Sequence, residues 1–338
     1  MVGENYSLLG ATIDINKTLY LDEEIIISNE GNKLVAYSIL NQEQIWDIPL
    51  KYPIEKFKII EDKIITESSE GISMIDFGSL DMLWHFSIDS PSQRVIDICD
   101  EYSILALDVK EDANKSGVYL IDNMGDNKWI FPLERESVVC GGICPEKDYI
   151  VICTLEITDN IRSRVYLLDK TGNIMWAKNF DNEIITFVFF HDENIGFLKE
   201  NTIISMSLAG KIEDENELSG TILRAAESKD ILAICRKESP ESHIIKDMGK
   251  SYLDLYSKIS GKRLWSIELE DDCKNIKISD DGHLIFILVK NKVLIITRKG
   301  DIIEEYGTGF DIDDFLISPS GIPFIVNHKD KSVLIYDK

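Results

Sequence analysis

Cys140-Gly141-Gly142-Ile143-Cys144 is the densest group of reactive side chains in this 338-residue sequence. In an extended strand both sulfurs would lie on one face, and Cys153 follows in the next strand. A zinc site needs about four ligands in tetrahedral array. No CxxC spacing completes one here, so these thiols are expected to be buried and to act as small apolar residues. The five histidines, at 85, 191, 243, 283 and 328, are scattered and form neither HxH nor HExxH. Asp311-Ile312-Asp313-Asp314 and Asp271-Asp272 offer hard oxygen ligands, but they lack the glycine and terminal glutamate of a calcium-binding EF-hand loop. Solvated acidic turns are the expectation. There is no GxSxG elbow and no glycine-rich phosphate loop, and Ser28 and Ser73 read as ordinary strand or turn residues. No catalytic residue, metal ligand or cofactor is expected.

Contact with a partner is the better use for the remaining polar groups. Three long connections stand out, at Lys110–Gly117, Glu156–Arg164 and Arg236–Ser251, and equivalent loops of a repeat protein emerge on one face. Arg162, Arg164, Arg236 and Lys237 are expected in these loops. The longest mixes both charges with Ile244, Ile245 and Met248, an apolar group able to anchor a partner. The candidate partner-binding residues are therefore Arg162, Arg164, Arg236, His243, Ile244, Ile245 and Met248.

What holds those loops is an internal repeat. The tryptophans fall at 46, 84, 129, 176 and 265, giving gaps of 38, 45, 47 and 89. A spacing of about 40 residues is typical of propeller blades, and the last gap is close to two periods. Local text recurs with it. Val118-Tyr119-Leu120-Ile121-Asp122 leads to Gly125 and Trp129, Val165-Tyr166-Leu167-Leu168-Asp169 to Gly172 and Trp176, and Leu253-Asp254-Leu255-Tyr256 to Gly261 and Trp265. Each tryptophan follows its glycine by four residues. Asp214 and Glu304 stand in the same place after Gly210 and Gly300. Four short strands per unit are expected, with the tryptophan on the outermost.

Seven full units and a three-stranded remainder predict an all-β chain, a single eight-bladed β-propeller domain over residues 1–338. The segment Asn5–Gly10 would close the last blade as its outer strand and so remove an open sheet edge. Seven blades with a ragged tail is the alternative.

These units resemble the repeats of the quinoprotein-like, tryptophan-docking (PQQ-repeat) propeller superfamily. Leu167-Leu168-Asp169-Lys170-Thr171-Gly172-Asn173-Ile174-Met175-Trp176 matches that pattern best, and weaker copies extend it over nearly the whole chain. The resemblance implies that Trp46, Trp84, Trp129, Trp176 and Trp265 are structural, docking between neighbouring blades. The superfamily includes quinone-dependent dehydrogenases, which commonly carry an adjacent cysteine pair that this sequence lacks. No quinone base or calcium-ligand set carries over by motif. Another branch comprises outer-membrane assembly lipoproteins, but no lipobox cysteine is present.

The formal net charge of −24, from 36 basic and 60 acidic residues, disfavours nucleic acid as a partner. The most apolar stretch, Leu284–Thr297, is interrupted by Lys290-Asn291-Lys292, so no membrane span is expected. Six cysteines without CxxC pairs, and an N-terminus without a basic and apolar leader, point to a cytoplasmic protein with reduced thiols. The function expected is a noncatalytic propeller that serves as a protein-interaction scaffold or recognition subunit of a larger assembly. Two alternatives stand beside it: a small-ligand sensor or enzyme with its site at the central channel, and an extracytoplasmic assembly factor lacking its targeting segment.

Overall fold

A computed structural model describes residues 6–9, 19–21, 24–38, 41, 43–87, 92–98, 104–109, 116–144, 149–191, 194–228, 230–238, 249–279, 281–308, 312, 314–317, 323–327 and 332–336. The fold is an all-β β-propeller, and the described residues contain no helix. Isoleucine, valine and other β-branched residues fill the apolar runs and suit a pleated, half-buried surface.

Strand β1 (Tyr6–Leu9) is followed by β2–β5 at Leu19–Leu21, Ile25–Glu30, Lys33–Ser38 and Gln44–Pro49. Next come β6–β9 at Ile54–Ile60, Lys63–Ser68, Gly71–Asp76 and Met82–Ser87, then β10–β13 at Ser92–Ile98, Ile104–Val109, Ser116–Ile121 and Asn127–Leu133. β14–β17 cover Ser137–Cys144, Tyr149–Ile157, Ile161–Asp169 and Ile174–Asp181, and β18–β21 cover Ile185–His191, Asn194–Lys199, Thr202–Ser207 and Ile212–Glu217. β22–β25 span Thr221–Ser228, Ile231–Lys237, Ser251–Ser257 and Arg263–Leu269, and β26–β29 span Cys273–Ile278, Leu284–Val289, Lys292–Thr297 and Ile302–Gly307. The last strands are β30–β32 at Asp314–Ile317, Pro323–Asn327 and Ser332–Tyr336.

These strands form eight four-stranded antiparallel sheets. Seven are consecutive meanders. The eighth has the order β1-β32-β31-β30, with Tyr6 opposite Tyr336 and Leu9 opposite Val333. The N-terminal segment therefore supplies the outer strand of the last sheet, as its lack of any other partner predicted.

The chain divides into two compact units. Residues 50–218 form one, holding the four sheets from β6 to β21; residues 1–49 and 219–338 form the other, holding the remaining four. In the first unit the core lies as slabs between successive sheets. Ile65, Ile72 and Met74 pack with Ile121, Val118 and Phe131 with Ile150 and Tyr166, and Val151 and Leu167 with Val188 and Phe197. The second unit repeats the arrangement, with Leu253 and Leu255 against Ile285 and Ile287, and Phe286 and Val293 against Phe315.

The repeat text acquires a local physical meaning at the turn before each outer strand. Asp169 accepts hydrogen bonds from Thr171 N (2.8 Å), Thr171 Oγ1 (2.6 Å) and Asn173 N (3.0 Å), which fastens the turn as an Asx motif. Gly172 sits at φ +83° and presents a bare backbone to the Trp129 ring; a Cβ there would lie 2.7 Å from Trp129 Cγ. The indole N–H of Trp129 donates to Lys170 O at 3.0 Å. Trp84 docks in the same way on the next sheet's turn at Gly125, donating to Asn123 O, and Trp176 and Trp265 dock at Gly210 and Gly300, donating to Leu208 O and Arg298 O. Trp84, Trp129, Trp176 and Trp265 thus lie on outer strands with their rings against the glycine turn of the next sheet. Trp46 lies on β5, half-buried, and Asp214 and Glu304 occupy the matching places on β21 and β29.

Four residues expected in loops lie in strands instead. Arg162 and Arg164 belong to β16, and Arg236 and Lys237 to β23. The stretch Glu156–Arg164 is no loop: Glu156 pairs with Arg162 and Ile157 with Ile161 around a turn at 158–160. Charged residues alternate there with apolar ones at a period of two, which suits an extended hairpin. The Lys110–Gly117 connection shrinks at one end, because β12 begins at Ser116, and residues 110–115 lie outside those described.

Candidate interaction surface

Antiparallel order sets which connections share an end of a sheet. The link between the second and third strands and the link leaving the fourth strand lie at one end, opposite the glycine turns that receive the tryptophans. Of the residues singled out for partner binding, Arg162 and Arg164 on β16 and Arg236 on β23 lie toward this end of their own sheets.

In the unit of residues 50–218, β15 and β16 are nine residues each and form the longest hairpin among the described residues. Its tip carries Ile157 and Ile161, 72% and 40% exposed. Arg162 flanks them and is held by Asp181 Oδ1 (2.7 Å) and Glu156 Oε2 (3.7 Å). Arg164 points its guanidinium to the sheet, donating from Nη1 to Glu136 Oε1 (2.5 Å) and from Nε to Asn179 Oδ1 (2.7 Å). Glu136 is buried, and it also accepts from Thr154 Oγ1 (2.6 Å) and Tyr166 OH (2.9 Å). Burial, reinforced by Glu136, pushes the Tyr166 phenol up, so Tyr166 donates to the carboxylate. Arg164 is thus an anchor at the root of the hairpin, and Arg162 stands nearer its tip.

In the other unit the connection from β23 to β24 is closed at its base by Glu238 N donating to Lys250 O (2.9 Å). Arg236 is only 4% exposed. It donates from Nε to Asp254 Oδ2 (2.6 Å) and from Nη1 to Glu238 Oε1 (2.6 Å) and Ser219 O (2.9 Å), and stacks over Tyr252 at 4.5 Å. Its charge is occupied in holding the loop base. Lys237 pairs with Asp272 (2.6 Å), which also accepts from Ser251 Oγ, and these donors hold the Asp272 carboxyl below the usual range. His243, Ile244, Ile245 and Met248 lie outside the described residues.

A third feature was not legible in the sequence. On β8–β9, Met74 faces Trp84 and Ile75 faces Met82, leaving Leu83 as an extra residue. That bulge brings Met82 onto the same sheet face as His85, Ser87 and Ser73. Together with Lys51 and Tyr52 they line a cavity of about 200 Å³. Ser73 Oγ and His85 Nδ1 are 2.9 Å apart, and His85 stacks on Tyr52 with centroids 6.2 Å apart. Burial, then the Lys51 cation, pushes the His85 imidazole below its ordinary value, with Glu70 opposing.

The other sequence candidates resolve simply. Cys140 and Cys153 face each other across β14 and β15, and burial, with Cys140 beside it, drives the Cys153 thiol well above its usual range. Such a thiol is protonated and inert. Asp314 accepts from Asn275 Nδ2 (2.6 Å), while Asp311, Asp313, Cys99 and His328 lie outside the described residues. Among the described residues, no three His, Cys, Asp or Glu side chains are grouped to hold a metal ion, and no helix is long and apolar enough to cross a membrane.

No protein-family model and no curated protein sequence matches the chain. Solved structures do. BamB from Moraxella catarrhalis is similar at 12% identity, TM-score 0.61, over 99% of this chain and 100% of that one. Sqt1 from Saccharomyces cerevisiae is similar at 11% identity, TM-score 0.64, over 95% and 98%, and a europium-containing methanol dehydrogenase at 9% identity, TM-score 0.58, over 95% and 84%. At these identities the likeness concerns the fold alone, that of a β-propeller.

Proposed function

We propose that this protein is a noncatalytic scaffold or recognition subunit of a larger assembly, and that its partner sits on the sheet end carrying the long connections. The eight sheets support one propeller domain of eight blades over residues 1–338. One observation carries the function above the rest: the β15–β16 hairpin projects Ile157 and Ile161 into solvent beside Arg162. An apolar centre with a charged rim is how interface anchors are arranged. Arg164 and Arg236 act beneath it by fixing the hairpin and the loop base, and His243, Ile244, Ile245 and Met248 belong to the second contact.

The test is quantitative mass spectrometry of proteins co-purifying with the tagged protein from its native cells, for the wild type, Ile157→Asp/Ile161→Asp, and a deletion of residues 239–249. A partner recovered in stoichiometric amount with the wild type and lost with either variant is expected. Unchanged recovery with both folded variants removes this surface from consideration.

A further inference from the structure

The outer strand of every sheet has one edge whose N–H and C=O groups face away from its neighbour. Natural sheets blunt such edges with charge or proline. Among the outer strands of six or more residues, β5 has Asp47 and Pro49, β13 has Lys128 and Pro132, β17 has Lys178 and Asp181, and β21 has Glu213, Asp214, Glu215 and Glu217. β25 has Arg263 and Glu268, and β29 has Glu304 and Glu305. β9, Met-Leu-Trp-His-Phe-Ser, has neither charge nor proline. Among the described residues it pairs only with β8, and Met82 and Leu83 are each 48% exposed. Here the usual protection against strand addition is missing.

The cavity under this strand says what kind of strand would add. Five hydroxyl residues line it, Tyr52, Thr66, Ser68, Ser73 and Ser87, with His85 and Lys51; Ser68 Oγ donates to Gly71 O at 3.1 Å and Ser73 Oγ meets His85 Nδ1 at 2.9 Å. Lys51 is the only charged residue in the lining, in a chain whose formal net charge is −24. Glu70, which influences both Lys51 and His85, stays outside the lining. A carboxylate fits this combination, because the Lys51 cation and hydroxyls such as those of Thr66 and Ser87 make the stronger, charge-assisted hydrogen bonds to it. Drug-sized ligands occupy about 300–1,000 Å³, so about 200 Å³ suits a single side chain.

We propose that β9 is a docking edge for an extended acidic peptide segment of a partner protein, which adds as a fifth strand and lowers one Asp or Glu side chain into the Lys51–His85 cavity. Main-chain hydrogen bonds supply affinity in this mode and the side-chain pocket supplies selectivity. The surface is separate from the β15–β16 hairpin, so the two stand or fall independently.

Fluorescence anisotropy on the full-length protein tests this with labelled, capped hexapeptides of alternating valine and threonine carrying one glutamate, placed at either parity to cover both registers. The glutamate peptide should bind about tenfold more tightly than its glutamine counterpart, the difference one charge-assisted bond makes. Lys51→Gln should abolish that preference while leaving the glutamine peptide unchanged. N-methylation of alternate amides on the edge-facing side, or Leu83→Glu in the protein, should weaken both peptides at least about tenfold by blocking the edge. Ile157→Asp/Ile161→Asp should bind as the wild type, which separates this site from the hairpin. No binding of either glutamate peptide up to about 1 mM overturns the proposal. So does equal binding of acid and amide, or tolerance of N-methylation in every register.

Discussion

Replacing Gly172 by alanine isolates the clamp between sheets. Two costs add at this position. An L-residue at φ +83° is strained by about 1–2 kcal/mol. The new Cβ would also lie 2.7, 2.9 and 3.1 Å from Trp129 Cγ, Cδ2 and Cδ1, so the indole must move. Forcing such a shift costs about 1–3 kcal/mol, and losing the indole hydrogen bond to Lys170 O about 0.5–1.5 kcal/mol more. Gly31 supplies the control. Its φ is +67°, but no atom lies within 4 Å of the added Cβ, so Gly31→Ala carries only the strain.

Urea unfolding followed by tryptophan fluorescence should therefore place Gly172→Ala roughly 2–4 kcal/mol below Gly31→Ala. The series extends. Gly125 meets Trp84 Cγ at 2.7 Å and should match Gly172, whereas Gly210 and Gly300 meet their tryptophans at 3.2 and 3.3 Å and should fall between. If Gly172→Ala and Gly31→Ala unfold within about 0.5 kcal/mol of each other, docking against glycine is not what couples neighbouring sheets.

Two further outcomes follow from the polar groups. Hydrogen bonds from the Thr171 side chain and Asn173 backbone hold the Asp169 carboxyl down to about 2, and the Ser79 backbone and Lys63 do the same for Asp76. Because the folded values lie below the unfolded value of about 3.9, this stability is present above about pH 4 and lost as pH falls through about 2. Acid unfolding of Asp169→Asn should accordingly show a shallower pH dependence across that window, and an unchanged profile would count against the turn assignment. Arg236→Met leaves the fully buried Asp254 with only the more distant Arg263 (3.9 Å) in place of its 2.6 Å partner and should cost about 3–5 kcal/mol in the same urea assay. The double variant Arg236→Met/Asp254→Leu should recover most of that loss, and a single variant costing under about 1 kcal/mol would refute the anchoring role.

What the sequence makes legible here is what the fold decides locally. The four-residue step from Gly172 to Trp176 recurs because one turn must both cap itself through Asp169 and receive the indole of the preceding sheet, and these demands fall on residues close together in the chain. Pairings made by sheet register leave no such trace. Ser73 meets His85 only because β8 and β9 align them across a hairpin, and Met82 joins their face only because Leu83 is an extra residue. Arg236 read as a loop residue because charge normally marks solvent, yet Asp254, on the paired strand β24, neutralises it inside the sheet. The same reasoning separates the two surfaces. Ile157 and Ile161 sit where a repeat unit departs from its neighbours in length, which a comparison of units can detect. The unprotected edge of β9 is a departure in composition at constant length, detectable only once the outer strands are known and their charges are compared one by one.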